Sequence, residues 1–281
     1  MLRDSALLLY NRRKKQREAY IMDHLEKYYS GYDEDGRLLS RHGQVEYTTT
    51  MKYIHEYLRA LPDARVLELG AGTGRYSIAL AREGYAVTAL ELTEHNIEIL
   101  KSKLDGSEPI ELVRGSALDL SRFPDGGFDM TLMLGPMYHL YTREDKLRAL
   151  KEALRVTRPG GIVMVAYCMN EATVISYVFC GGHLRELREK NMLTDDWHCI
   201  SKPEDIFELI RSEEIEELDR AVGAERIKLV ATDGATNYLR PLVDSMDDET
   251  FAAWLDYHLS TCERQDTVGA SHHTLDILRR P

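Results

Sequence analysis

Short apolar runs alternate with amphipathic stretches from Arg65 to the end of the chain. The runs that predict strands are Val66–Leu69, Ala86–Leu90, Ile110–Val113, Phe128–Leu134, Ile162–Tyr167, Ile227–Thr232 and Thr274–Leu278. The helical patterns between the first five strands cover Tyr76–Arg82, Thr93–Lys103 and Thr142–Val156. Strands that alternate with helices predict βαβ units, a parallel sheet and right-handed crossovers.

The segment before Arg65 has a different texture, because it is polar and rich in tyrosine. Its pattern predicts a helix over Lys15–Tyr29, a turn at Asp33–Gly36 and a second helix over Gln44–Leu58. We therefore expect residues 1–61 to form a helical cover on the α/β domain.

Two insertions interrupt the alternation in the second half of the chain. Residues 168–200 form the first, and Ser201 followed by Glu204 then resembles a capping box that starts a helix. The second, at about 235–268, contains apolar side chains on one helical face. That face comprises Phe251, Trp254, Leu255, His258, Leu259 and Cys262. We expect residues 62–281 to form one α/β domain whose insertions build a cap.

Composition excludes several classes of protein. The 281 residues include 36 Lys and Arg against 47 Asp and Glu, a net charge of −11, which disfavours a nucleic-acid substrate. The four cysteines lie far apart, which indicates free thiols in a reducing compartment. The longest early apolar stretch, Ala6–Tyr10, is too short for a signal peptide or a membrane span. A soluble cytoplasmic protein is expected.

The strongest chemical signal is a glycine-rich turn after the first strand, Glu68-x-Gly70-x-Gly72-x-Gly74. Such a turn lets a ligand approach the backbone, and the helix that follows supplies free N–H donors. Glu91 ends the next strand, where a carboxylate can accept both hydroxyls of a ribose. The pair predicts a nucleoside site.

The spacing of the glycines disfavours a nicotinamide dinucleotide. The dinucleotide fingerprint requires its third glycine at position 75, where this chain has Arg75. The sequence instead resembles motif I of the class I S-adenosylmethionine-dependent methyltransferases. The resemblance covers roughly Arg65–Tyr167 and extends to small-molecule members of the ubiquinone- and menaquinone-biosynthesis type. Leu134–Leu140 and Arg158–Gly161 contribute to it.

The resemblance implies a seven-stranded sheet whose last strand is antiparallel. It implies S-adenosylmethionine as cofactor and S-adenosylhomocysteine as product, with a small molecule as methyl acceptor. The residues that it places around the cofactor are Glu68, Gly70, Ala71, Gly72, Thr73, Gly74, Tyr76, Glu91, Leu92, Ser116, Ala117, Leu134 and Gly135. Ser116 stands where many relatives have an aspartate.

Side chains near the expected methyl group suggest catalytic candidates. His139 follows the fourth strand, and its ordinary pKa near 6.5 suits a general base. Tyr138 and Tyr141 are candidates to line the methyl-transfer channel, and Tyr47 or Arg41 to meet the cofactor from the N-terminal cover. No metal site is expected, because His198 and the His272–His273 pair lack carboxylates or cysteines at ligand spacing.

Three other functions stay open at this point. The protein could methylate a protein or an RNA, or bind the cofactor without catalysis as a partner subunit. A nicotinamide dehydrogenase is the third. The sequence leaves the oligomeric state undetermined.

Overall fold

The computed structural model of the protein describes residues 16, 20–32 and 34–281. The strands are β1 (Arg65–Leu69), β2 (Ala86–Glu91), β3 (Ile110–Arg114), β4 (Phe128–Met133), β5 (Thr157–Met169), β6 (Leu209–Ile210), β7 (Glu225–Ala231) and β8 (His273–Arg279). The helices of the N-terminal half are α1 (20–31), α2 (Glu34–Arg37), α3 (Arg41–Leu58), α4 (Arg75–Arg82), α5 (Glu94–Ser102) and α6 (Arg143–Val156).

The helices of the C-terminal half are α7 (Asn170–Thr173), α8 (Leu184–Glu189), α9 (Ser212–Val222), α10 (Arg240–Asp244), α11 (Asp248–Thr261) and α12 (Gln265–Val268). A π-helix covers Val174–Cys180, and short 3₁₀ turns cover Pro136–His139, Pro203–Asp205 and Gly234–Asn237. Among the described residues, no helix combines the length and the apolar character that crossing a membrane requires.

The strands form one sheet in the order β3-β2-β1-β4-β5-β8-β7, with β6 paired to β5. Strands β1 to β5 are parallel, and β8 runs antiparallel to both β5 and β7. The predicted α/β class and the antiparallel last strand are confirmed. The two-residue strand β6 is an addition that the sequence pattern did not reveal.

Both faces of the sheet are buried, which explains the nearly continuous apolar runs. Leu67 and Leu69 pack on the side of α6 and α9, whereas Val66 packs on the side of α3 and α4. Each fully buried leucine contributes roughly 1.5–3 kcal/mol relative to exposure. The carboxyl ends of the parallel strands therefore sit on a well-packed base.

The N-terminal segment lies over this core. Helix α3 begins three residues earlier than predicted, because the Ser40 hydroxyl accepts a hydrogen bond from the Gly43 amide. Its buried face includes Tyr53 and Ile54. The described part of the first predicted helix is helical over 20–31, whereas Lys15 and Asp33 lie outside the described residues. The turn predicted to end at Gly36 is wrong, since Glu34–Arg37 is helical.

The starts of three predicted helices differ in the structure. Thr142 caps α6, because its Oγ1 accepts a hydrogen bond from the Asp145 amide. Thr93 stands at the N-cap of α5, but its hydroxyl donates to Glu91 instead of capping. The helix predicted to start at Ser201 is wrong: the chain makes only a short 3₁₀ turn there, and Ile206 follows with a φ of +70°. A helix cannot continue through that left-handed backbone.

Candidate functional site

One cavity of about 2550 Å³ opens at the carboxyl edge of the parallel strands. It extends from the glycine turn after β1 to the junction of β5, β7 and β8. Most of the predicted cofactor-binding residues line it, namely Glu68, Gly70, Ala71, Gly72, Thr73, Tyr76, Glu91, Leu92, Ser116, Ala117, Leu134 and Gly135. Ligands of open α/β sheets bind at this edge.

The three glycines of the turn all have positive φ, at +70°, +55° and +88°, but they serve different purposes. A Cβ on Gly70 would lie 2.9 Å from Pro136 Cδ, and one on Gly74 would lie 2.6 Å from Leu100 Cγ. A Cβ on Gly72 would meet no protein atom within 4 Å. Gly70 and Gly74 therefore permit close packing, whereas Gly72 leaves its backbone open to the cavity.

In the dinucleotide fingerprint, the third glycine allows close packing of the helix, and it would stand at position 75. In this chain, Gly74 allows that packing. It forms the N-cap of α4, and the guanidinium carbon of the next residue, Arg75, lies 4.5 Å from the centroid of the Tyr47 ring. The turn is therefore one residue shorter than the dinucleotide pattern requires.

Glu91 faces this turn from the end of β2. Its Oε2 accepts a hydrogen bond of 2.8 Å from the Gly72 amide, and its Oε1 accepts from the amide and hydroxyl of Thr93, each at 2.9 Å. Only 5% of its surface is exposed. The carboxylate is thus fixed at the cavity wall, beside Leu92, in the position that the sequence predicted.

Glu68 lies beneath the turn at the end of β1. It is buried and hydrogen-bonded to the Ser77 hydroxyl. Burial raises the pKa of Glu68 to about 8, and the contact to Ser77 opposes this rise. The carboxyl group is therefore mainly uncharged at neutral pH and adds no second negative charge beside Glu91.

His139 sits in the cavity wall with both ring nitrogens engaged. Its Nδ1 donates to the Ile206 carbonyl at 2.9 Å, which leaves Nε2 to accept from the Tyr29 hydroxyl, also at 2.9 Å. Burial lowers the pKa of His139 to about 4. Through these contacts the histidine joins α1 to the loop after β4, and its role as a general base stays a prediction.

The tyrosine and arginine candidates separate in the structure. Tyr138 lines the cavity, as expected for a channel residue. Tyr141 instead donates to the Ile206 carbonyl at 2.6 Å, and Tyr47 packs against Arg75 and Tyr76. Arg41 pairs with Asp248 at 2.7 Å. These three residues are not among those that line the cavity, and their contacts to a ligand stay predictions.

The far end of the cavity holds a group of ionisable residues that the sequence did not bring together. We call it the charged corner, and it comprises Arg37, Glu46, Asp233, His272 and His273. Arg37 pairs with Glu46 at 2.5 Å, and His273 Nδ1 lies 3.5 Å from Glu46 and 2.9 Å from Asp233. The adjacent histidines were its only visible signal.

Charges alternate along the charged corner. Burial opposes ionisation, yet Arg37 and His273 together hold the pKa of Glu46 below its ordinary value. Despite the same penalty, Glu46 and Asp233 keep the pKa of His273 well above 6.5. The charged corner is thus a row of guanidinium, carboxylate, imidazolium and carboxylate.

Comparison with known proteins agrees with this geometry. The family described as "Methyltransferase domain" matches residues 66–161. Demethylmenaquinone methyltransferase of Clavibacter sepedonicus is 33% identical over 138 residues, which are 48% of this chain and 53% of that protein. The enzyme of the same name from Staphylococcus aureus (strain MRSA252) is 36% identical over 104 residues, 36% of this chain and 41% of that one. The chain spans about half the length of the curated relatives it matches.

Solved structures extend the likeness to most of the fold. A methyltransferase from Methanosarcina mazei, described as dependent on S-adenosylmethionine, has a TM-score of 0.54 at 18% identity, over 81% of this chain and 96% of that one. The [4+2]-cyclase SpnF has a TM-score of 0.53 at 18% identity, over 84% and 81%. The chain has the Rossmann-like fold of class I methyltransferases. The match of residues 66–161 to a methyltransferase domain agrees with the resemblance found in the sequence.

Proposed function

We propose that the protein transfers a methyl group from S-adenosylmethionine to a small-molecule acceptor and releases S-adenosylhomocysteine. The observation that carries this proposal is the continuity of the cavity. One space joins the glycine turn and Glu91 to the charged corner, so cofactor and acceptor can bind side by side.

The residues at the glycine turn fit the cofactor. Gly72 leaves open space at the backbone, and the fixed carboxylate of Glu91 has acceptor capacity for the ribose hydroxyls. Leu92 would pack on the adenine, with Ser116 and Ala117 at its edge. The remaining candidates would surround the methionine part, namely Glu68, Gly70, Ala71, Thr73, Gly74, Tyr76, Leu134 and Gly135.

The bound cofactor supplies a methyl group on a cationic sulfur, which is already electrophilic. The protein's part is to hold the acceptor in line with that methyl group and to exclude water, which supplies several kcal/mol of the barrier. Helix α1 covers the cavity through Tyr29, and Tyr138 forms part of the wall beside it. These elements would position the acceptor without requiring His139 to act as a general base.

Two observations favour a small acceptor over a macromolecule. The cavity is lined by the N-terminal helices and by the first insertion, which together enclose a compact molecule better than a polymer. In addition, matched relatives are named for methylation of demethylmenaquinone. A hydroquinone is therefore the first acceptor to test.

The experiment has two stages. Titration calorimetry of the full chain with S-adenosylmethionine, S-adenosylhomocysteine and a nicotinamide dinucleotide should give binding by the first two alone. Release of S-adenosylhomocysteine is then measured with hydroquinones and other small phenols, amines and thiols, and with protein and RNA mixtures. Tight dinucleotide binding without binding of the methyl donor would overturn the cofactor assignment. Turnover confined to protein or RNA would overturn the acceptor class, and binding without any turnover would favour a non-catalytic partner.

A further inference from the structure

We propose that Asp233, His272 and His273 form a binding site for a divalent transition-metal ion. These residues are the group of potential metal ligands that the described part of the chain brings together, and one ligand atom from each lies within 4.8 Å of the others. Asp233 follows β7, His272 immediately precedes β8 and His273 is the first residue of β8, so the antiparallel pairing of these strands brings the three residues together.

The spacing of the ligand atoms suits a metal ion. His273 Nδ1 lies 2.9 Å from Asp233 Oδ2 and 3.4 Å from His272 Nδ1. Two ligands that each lie about 2.1 Å from an ion are about 3.0 Å apart in octahedral geometry and about 3.4 Å apart in tetrahedral geometry. Small side-chain rotations would therefore suffice to accommodate an ion.

A surrounding set of hydrogen bonds holds the carboxylate in place. Asp233 Oδ1 accepts from the Ser271 hydroxyl at 2.7 Å, from the His272 amide at 2.9 Å and from the His273 amide at 3.1 Å. Its Oδ2 remains directed at the His273 ring. In metal sites, hydrogen bonds from surrounding residues typically orient the ligand side chains. The contacts to Asp233 Oδ1 would hold the carboxylate ready for an ion in this way.

The ion would take the place of a proton. Without it, the His273 Nδ1–H group bridges to Asp233, and Glu46 lies 3.5 Å from the same nitrogen. Binding requires His273 to give up that proton to solvent, since a ligand nitrogen must have a free lone pair. The negative charges of Asp233 and Glu46 would then stabilise the cation.

The donor set selects the kind of metal. Two imidazoles and one carboxylate favour Zn²⁺, Co²⁺, Ni²⁺ or Fe²⁺ over Mg²⁺ and Ca²⁺, which prefer oxygen ligands. All three residues line the cavity, so open coordination positions would face the acceptor end. If the proposed methyl transfer holds, those positions would take an oxygen or nitrogen of the acceptor; the metal site itself does not depend on that.

The test measures metal binding directly. The full chain, stripped of metal with a chelator, is dialysed against Zn²⁺ and titrated with Co²⁺, whose visible absorption reports nitrogen and oxygen ligation. We expect one ion per chain. The variants His272→Gln and His273→Gln should each weaken binding by at least about 100-fold, because even the loss of an outer contact costs about 10–100-fold.

Control variants separate a lost site from a damaged fold. Asp233→Asn keeps an oxygen for the three hydrogen-bond donors while removing the negative charge, and it should also weaken binding. His55 lies outside the cavity, and its Nε2 is 2.7 Å from Glu83 Oε2. The variant His55→Gln should therefore bind the metal ion as the wild type does. Thermal melting and the affinity for S-adenosylmethionine are measured on every variant.

Two results would overturn the metal site. One is a wild-type chain that takes up no more Zn²⁺ or Co²⁺ than the His272→Gln and His273→Gln variants. The other is stoichiometric binding that both variants retain. Because neither readout uses turnover, a failure of the metal site is distinguishable from a failure of methyl transfer.

Discussion

The two ends of the cavity are built in different ways. At the glycine turn, the wall is mostly backbone from consecutive residues, and the Gly72 amide holds the carboxylate of Glu91 in place there. At the charged corner, side chains meet from α2, from α3, from β8 and from the segment that follows β7. The first end depends on local sequence, and the second depends on the tertiary fold. We infer that the first end serves a cofactor common to many proteins, whereas the second adapts to one acceptor.

The largest expected effect comes from blocking the backbone at the cofactor end. Gly72→Val should weaken S-adenosylmethionine binding by at least about 100-fold, because the side chain would project into the space that the ligand must use and would also force a valine to a φ of +55°. Calorimetry measures the loss. Gly84→Val is the matched control, since Gly84 also has positive φ and open surroundings but does not line the cavity.

If both variants are equally destabilised and only Gly72→Val loses affinity, the loss is specific to the site. Unchanged affinity in a folded Gly72→Val protein would remove the glycine turn from the cofactor site and would erase the contrast between the two ends.

The next largest effect is expected at the carboxylate. Glu91→Ala should weaken S-adenosylmethionine binding by roughly 10- to 100-fold if the ribose hydroxyls are bound there. Because Glu91 also accepts from the Gly72 amide, Glu91→Gln is measured beside it to preserve an acceptor. Equal affinity for the cofactor in all three proteins would contradict a ribose contact.

A smaller effect is expected where the two ends meet. His139→Ala should lower turnover several-fold with little change in cofactor affinity, because it removes the contact that joins α1 to the β4 loop. Tyr29→Phe removes the same hydrogen bond from the other side and should have a similar effect. If His139 is instead a base, only its own replacement will reduce the rate, and the pH profile of kcat will change with it.

The last prediction concerns the stability of the fold, which should depend on pH. Above pH 6.5, His139 is neutral in both the folded and the unfolded chain. Between pH 6.5 and about pH 4, His139 is protonated in the unfolded chain but stays neutral in the folded chain. Stability therefore falls as the pH falls through this window, by up to about 1.4 kcal/mol per pH unit. Urea unfolding of wild type and His139→Gln measures this as the difference between the two curves. A difference that does not vary with pH would contradict the buried neutral state.

The sequence could predict the elements that depend on neighbouring residues. The strands follow from short apolar runs, and the glycine turn follows from Gly70 to Gly74, because all three glycines have a positive φ. The position of Glu91 at the cavity could be predicted because the carboxyl end of β2 lies beside that of β1. The identity of the fold rests on such local features.

The remainder depends on contacts between distant residues. Asp233 is 39 residues from His272 in sequence, and Glu46 approaches His273 only because α3 packs over the sheet. The failed helix at Ser201 shows the converse, since a correct local capping pattern gave way to the left-handed backbone of Ile206. The carbonyl of Ile206 accepts hydrogen bonds from His139 and Tyr141, and no pattern in the neighbouring sequence indicates these contacts.

The chain of contacts from Tyr29 through His139 to Ile206 has a consequence for how molecules reach the interior. It ties three segments, the first described helix, the loop after β4 and the loop before β6, at a single imidazole. A bulky ligand that enters from that side would have to separate these contacts before it could bind inside the cavity. Entry would then depend on how readily the two hydrogen bonds of His139 open, so the selection of a ligand would begin at the entrance of the cavity and be completed inside it.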